Sequence, residues 1–90
     1  MGQIKHFSDL IVWQKAHEIT LTIYKITELF PKKEQFSLTD QMRRASISIG
    51  SNIAEGFSRL SIPDKIHFFV LAKGSLTELE NQFYVGRDVG

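Results

Sequence analysis

Six polar residues fall close to one line of a predicted helix: Gln41, Arg44, Ser48, Asn52, Glu55 and Arg59, at spacings of 3, 4, 4, 3 and 4. Such spacing keeps them within roughly ±60° of a common direction on an α-helix. A stripe of this kind supports two chemistries. As a satisfied polar seam it would fix the register of packed helices, with Glu55 reaching Arg59 at i+4 and Asn52 bonding to a neighbouring helix. As a groove for RNA, DNA or a peptide it would use Arg43, Arg44 and Arg59 as donors to phosphate or carboxylate. A catalytic role for Glu55 has no visible partner.

Other constellations that carry chemistry are missing from the sequence. His6, His17 and His67 are dispersed, and no Glu-x-x-His pair occurs, so a carboxylate-bridged metal site in a bundle lacks its signature. No serine sits in Gly-x-Ser-x-Gly. Ala72-Lys73-Gly74-Ser75 has a lysine near a Gly-Ser pair without the glycine-rich loop that cradles phosphate. No catalytic residue, cofactor or metal is expected. The sequence reads as that of a non-enzyme.

The elements that position these residues are three helices. The first is predicted from a Ser8 N-cap, with Asp9 at the positive end of the dipole, to about Leu29. Its stripe is Trp13, Ala16, Thr20, Ile23, Thr27 and Phe30, and Pro31 ends it. The second is predicted from Ser37 or Thr39 to about Phe57, with a core face of Leu38, Met42, Ala45, Ile49, Ile53 and Gly56. The third opens on Ser61, Pro63 and Asp64, a cap with proline in the first turn. It is predicted over 62–85, with a stripe of Phe68, Ala72, Leu76, Leu79 and Phe83 and Gly86 as its stop. Short loops between rods of this length predict an all-α, up-down antiparallel bundle.

The second helix departs from ordinary amphipathic design. From Ala45 to Gly56 it holds one charge, Glu55, and seven residues that are Ala, Ser or Gly. A solvated face normally carries Lys and Glu, so this segment is expected to be packed on more than one side.

Ninety residues allow one domain, 1–90, which buries only about 60–65% of its unfolded surface. With no cysteine to cross-link it, self-association is the expected source of further buried area. Eleven Lys and Arg against ten Asp and Glu give a charge of +1, without the basic excess of most nucleic-acid-binding domains. No apolar run is long enough for a membrane span, and the first six residues lack a signal-peptide core, so a cytoplasmic location is expected.

A family pattern emerges from particular residues. Phe7-x-Asp9-Leu10-x-x-Trp13-x-x-Ala16 opens it, with Tyr24, Phe30-Pro31 and Glu34 following. Gln41-x-Arg43-Arg44-Ala45-x-x-Ser48-Ile49-x-x-Asn52-Ile53-Ala54-Glu55-Gly56 is its most specific block. Arg59, Phe69 and Gly74-Ser75-Leu76-x-Glu78-Leu79-Glu80 complete it. This chain resembles the four-helix-bundle family of the 23S rRNA intervening-sequence proteins, related to the accessory variability determinant proteins of diversity-generating retroelements. The resemblance implies a ring-like homopentamer, a largely undefined biochemical role, and in the retroelement relatives a basic surface that binds nucleic acid and reverse transcriptase. A fourth helix is expected in such a bundle. Here the chain reaches Gly86-Arg87-Asp88-Val89-Gly90 where the connecting loop would stand, so a truncated chain or a groove covered by another subunit is expected.

Overall fold

A computed structural model of the chain describes residues 3–89, the side chains of residues 34–36 excepted. Three long helices follow one another: α1 (Ile11–Thr27), α2 (Asp40–Ser58) and α3 (Ile62–Val89). No strand interrupts them among the described residues, so the fold is the all-α bundle that the periodicity predicts. At 28 residues, α3 spans about 42 Å, close to the 44 Å long axis of the molecule.

The direction of each helix follows from its cross-helix contacts. Thr20 of α1 donates from Oγ1 to the Ser46 carbonyl of α2 at 3.0 Å, and the Arg43 Nε donates to the Thr27 hydroxyl at 2.9 Å. Rising along α1 therefore means descending along α2. Ser75 and Ser48 meet through their hydroxyls at 2.9 Å, and Gly56 lies against Phe68, so α3 is again antiparallel to α2. Helices α1 and α3 thus run parallel. Each packs on α2, and they scarcely touch one another.

That arrangement makes α2 the spine of the bundle. Met42, Ala45, Ile49 and Ile53 of α2 and Leu38 just before it are all buried, as the predicted core face requires. Gly56 is buried too, and Ser46 is completely so. The exposed positions of α2 are Gln41, Arg44, Ile47, Ser51, Glu55 and Ser58, at spacings of three and four that trace one strip. The small-residue run therefore fits a helix flanked on both sides. The predicted α1 stripe also holds, with Ala16, Ile23 and Thr27 buried and Trp13, Thr20 and Phe30 half-buried.

The helix ends differ from expectation in instructive ways. Ser8 does not cap α1. A single 3-10 turn, Phe7–Asp9, precedes the helix, capped by the His6 side chain, and the N-cap of α1 is Leu10, which makes no side-chain cap bond. Asp9 accepts the backbone N–H groups of Lys5 and His6, both at 3.0 Å, which together hold its carboxyl below the ordinary carboxylate value. A depressed folded-state pKa means that this contribution is present above the unfolded value of 3.8 and fades as pH falls through the folded one. At the other end α1 stops at Thr27 rather than Leu29, two residues before the Pro31 signal would end it. A π-helical turn, Gln35–Thr39, leads into α2, whose N-cap is Thr39, and Thr39 makes no side-chain cap bond.

The junction between α2 and α3 is well satisfied. Ser61 accepts the Asp64 N–H at 3.2 Å, as its position predicts. The Lys65 ammonium donates to the carbonyls of Gly56 and Phe57, at 3.3 and 2.9 Å, and so neutralises the exposed C-terminal end of α2.

Helix α3 packs through a different stripe from the one its apolar residues suggest. Lys65, Phe68, Ala72, Ser75, Leu79, Gln82 and Gly86 recur at three and four and turn toward α2, while Leu76 and Phe83 remain 46% and 44% exposed. The helix also runs through Gly86 to Val89 instead of stopping there. Gly86 serves another purpose: a Cβ there would come within 3.1 Å of the Leu38 side chain.

Gln82 is the one strained point in this seam. Its side chain is buried, its amide donates weakly to Glu78 at 3.3 Å, and its Oε1 has no hydrogen-bond partner. An unsatisfied buried acceptor costs about 1–3 kcal/mol. Gln82→Met, of similar length, is therefore expected to raise stability by about 1 kcal/mol, read as a higher urea midpoint with an unchanged slope. An unchanged or lower midpoint would show that the oxygen is already hydrated.

Candidate functional site

The polar stripe splits into three parts when folded. Its middle, Ser48 and Asn52, is half-buried in the seam between α2 and α3. Asn52 Nδ2 donates to the Ser48 carbonyl at 2.9 Å and to its hydroxyl at 3.0 Å, and Ser48 in turn meets Ser75 of α3. Only the Ser48–Ser75 contact crosses to α3; Asn52 bonds back to Ser48 of its own helix rather than to a neighbouring helix as expected. Asn52→Leu is expected to cost about 1 kcal/mol, since the Ser48–Ser75 contact survives it. Chemical denaturation checks this; a loss above about 3 kcal/mol would mean that the whole chain of bonds acts as a unit.

The two ends of the stripe lie on the surface. Glu55 and Arg59 pair at 3.2 Å, both sides about half-exposed, and the Arg59 guanidinium lies 4.6 Å from the centre of the Phe68 ring. Gln41 is exposed, and Arg44 pairs with Asp40 one turn before it. Exposed pairs of this kind contribute little to stability.

The three arginines singled out for phosphate are not brought together. Arg43 and Arg59 stand 16 residues apart along one helix, about 24 Å. Each is also engaged within the chain. Arg43 lies over the Tyr24 ring at 4.5 Å while its Nε reaches Thr27, on the wall of a small polar cleft of about 220 Å³ shared with Glu28 and Lys32. The histidines are equally separate: His6 bonds Ser8, His17 stacks on Trp13 at 4.9 Å, and His67 lies beside Phe68. Among the described residues no group of three or more His, Cys, Asp or Glu is placed to hold a metal ion.

An open apolar groove lies between the parallel helices α1 and α3. Its floor is α2. One section, about 760 Å³, is lined by Ile19, Ile23, Leu76, Leu79 and Phe83. A second, about 390 Å³, continues it through Val12, Ile49, Ile53, Phe69 and Ala72. Lys73 and Leu76 belong to both, so the groove runs on without a divide. Charged residues stand only on its lips: Lys15 and Glu18 on α1, Lys73 and Glu80 on α3.

Sequence reasoning assigned the groove wall of α3 to the core. The signal that distinguishes them was present as a second stripe at helical spacing, Ile66, Phe69, Lys73, Leu76, Glu80 and Phe83, whose charges mark the side left to solvent.

Among the described residues no helix is long and apolar enough to cross a membrane. No curated protein matches the chain. The family model described as 23S rRNA-intervening sequence protein matches residues 8–90, from the 3-10 turn through the end of α3 and including both groove walls. With its stripe, seam and groove all inside that span, the chain belongs to the 23S rRNA-intervening sequence protein family.

Proposed function

We propose that the chain is a non-enzymatic helical scaffold or adaptor that works as a homo-oligomer, in the cytoplasm. The observation that carries this reading is the apolar groove, whose walls hold large side chains such as Phe69, Leu76 and Phe83 at 42–46% exposure. Contiguous apolar patches of this kind mark interaction surfaces rather than solvated ones. The polar residues add nothing that resembles a reaction centre, because Asn52, Glu55, Arg44 and Arg59 are spent on one another and on helix neighbours.

Light scattering of the purified chain over a hundredfold concentration range tests the proposal. A mass that is a multiple of 10.3 kDa is expected, and its value separates a pair from the five-membered ring that the family resemblance implies. A monomer at every concentration overturns it.

A nucleic-acid-binding role through a basic surface draws less support. Arg44 and Arg59 are neutralised by carboxylates, Arg43 is held by Thr27 and Tyr24, and the charge of +1 supplies no compensating excess. Filter binding to structured RNA at low salt is expected to show no retention. Retention that falls steeply as salt rises would put the nucleic-acid role first.

A further inference from the structure

We propose that the small cleft between the end of α1 and the start of α2 binds a single phosphate group, held by the Arg43 guanidinium, the Thr39 hydroxyl and the Lys32 ammonium. The site lies apart from the apolar groove and goes beyond the oligomeric reading, which neither needs it nor implies it.

Arg43 is unlike the other arginines of the chain. Three of the four are neutralised by a carboxylate: Arg44 by Asp40, Arg59 by Glu55 and Arg87 by Asp88. Arg43 has no ion-pair partner among the described residues. Its guanidinium is nevertheless fixed in place. Nε donates to the Thr27 hydroxyl at 2.9 Å, and one face lies over the Tyr24 ring at 4.5 Å. Thr27 is itself oriented, because its hydroxyl donates to the Ile23 carbonyl at 2.7 Å and turns a lone pair to Arg43. Neutral partners thus take one N–H and one face of the guanidinium. The charge and the terminal N–H groups are left unspent, in the fork geometry that matches an oxyanion.

Thr39 points to a ligand independently. It is 6% exposed, yet its hydroxyl has no hydrogen-bond partner among the described residues. Gln82 Oε1 is the only sealed side-chain oxygen or nitrogen without a partner among those residues, so the Thr39 oxygen keeps an opening. That opening is the cleft, whose wall Thr39 forms together with Arg43. A buried hydroxyl that bonds neither its own helix nor a neighbour has both a donor and lone pairs to give.

Size and charge narrow the ligand. The cleft holds about 220 Å³, the share of about seven waters at about 30 Å³ each. This is below the range of about 300–1,000 Å³ that drug-sized ligands occupy, so a phosphate group fits and a whole nucleotide does not. Lys32 and Arg43 against Glu28 leave one positive charge in excess on its walls. A planar carboxylate would be satisfied by the guanidinium fork alone, whereas a tetrahedral phosphate has further oxygens for the hydroxyl and the ammonium. Glu28 opposes the anion and keeps the affinity modest. One such cleft contacts one phosphate, which agrees with the expected failure to retain RNA, since tight binding there needs many phosphates at once.

Isothermal titration calorimetry at neutral pH and constant ionic strength tests the site, with inorganic phosphate in one arm and glycerol phosphate in the other. Saturable binding of one phosphate per chain is expected, with a Kd of about 1 mM. Tighter binding of the free ion makes it the ligand, and the reverse order assigns the cleft to a phosphoryl group carried on another molecule. Arg43→Gln is expected to weaken binding at least about tenfold and Thr39→Val about fivefold. At the exposed rim, Lys32→Gln is expected to weaken it about threefold and Glu28→Gln to strengthen it about threefold. Arg87→Gln, far outside the cleft, is expected to change nothing. Circular dichroism confirms that each variant stays helical. No saturable binding up to about 20 mM phosphate, or equal binding by Arg43→Gln and Arg87→Gln, overturns the site. If Arg43→Gln unfolds, the rim variants decide: equal affinities for Lys32→Gln and Glu28→Gln overturn it as well.

Discussion

Met42→Ala is expected to lower the stability of the chain by about 3 kcal/mol, among the largest effects of any single core truncation. Met42 is 1% exposed and belongs to the helix against which both α1 and α3 pack. Removing its thioether leaves a void in a core cluster that draws on all three helices, which cannot close it without pulling away from the rest of their seams, so collapse is limited. For a domain of this size a loss of about 3 kcal/mol corresponds to a fall in Tm of about 15 °C. Thermal unfolding followed by circular dichroism at one fixed protein concentration measures it, since self-association makes Tm depend on concentration. A fall of less than about 5 °C would show that the site collapses around the smaller residue.

Gly56→Ala is expected to destabilise by about 2 kcal/mol, against the ordinary preference of helices for alanine. In an open helix that change would gain up to about 1 kcal/mol. Here the added Cβ would stand 3.1 Å from Phe68 Cβ, 3.2 Å from Phe69 Cε1 and 3.4 Å from the Lys65 carbonyl oxygen. Phe69 can swing its ring aside. Phe68 Cβ and the Lys65 carbonyl are fixed to the backbone of α3, so the helices themselves must separate. That separation also draws the Lys65 ammonium away from the carbonyls it caps. Gly74→Ala is the matched control, because a Cβ there meets nothing within 4 Å, and it is expected to be neutral or mildly stabilising. Equal unfolding midpoints for the two variants would disprove the close approach at Gly56.

How legible each helix was in the sequence depended on how many sides of it are covered. The core face of α2 was read correctly at every position, because a helix flanked on both sides turns its large apolar residues inward and leaves no competing stripe. The stripe of α1 was also legible, since its seam with α2 uses the usual apolar and β-branched residues. Helix α3 misled because apolar residues line both its packed side and its groove side. Its true seam includes Lys65, Ser75, Gln82 and Gly86, which an apolar count passes over. The helix ends were missed for local reasons. His6 took the capping role that Ser8 was expected to fill, and tertiary packing against Leu38 carried α3 through a glycine that reads as a stop. Of the candidate site, the Glu55–Arg59 pairing was visible as a spacing of four, whereas Asn52 was expected to reach a neighbouring helix and bonds Ser48 of its own instead. A groove was expected from the family's fourth helix, but its lining residues were not legible, because they meet only between helices far apart in sequence.

The two groove walls have little direct hold on each other, and this makes the groove adjustable. Helices α1 and α3 behave like the covers of a book bound on α2. The angle between the covers depends on how closely each lies to the spine, at Gly50 against Trp13 and Ala16 for one and at Gly56 against Phe68 for the other. A side chain at Gly56 therefore acts as a shim, whereas a Cβ at Gly50 would meet Trp13 and Ala16 at ordinary contact distances of 3.5–3.9 Å. A methyl group placed under one cover alters the width of a trough several turns away, without touching any residue that lines it.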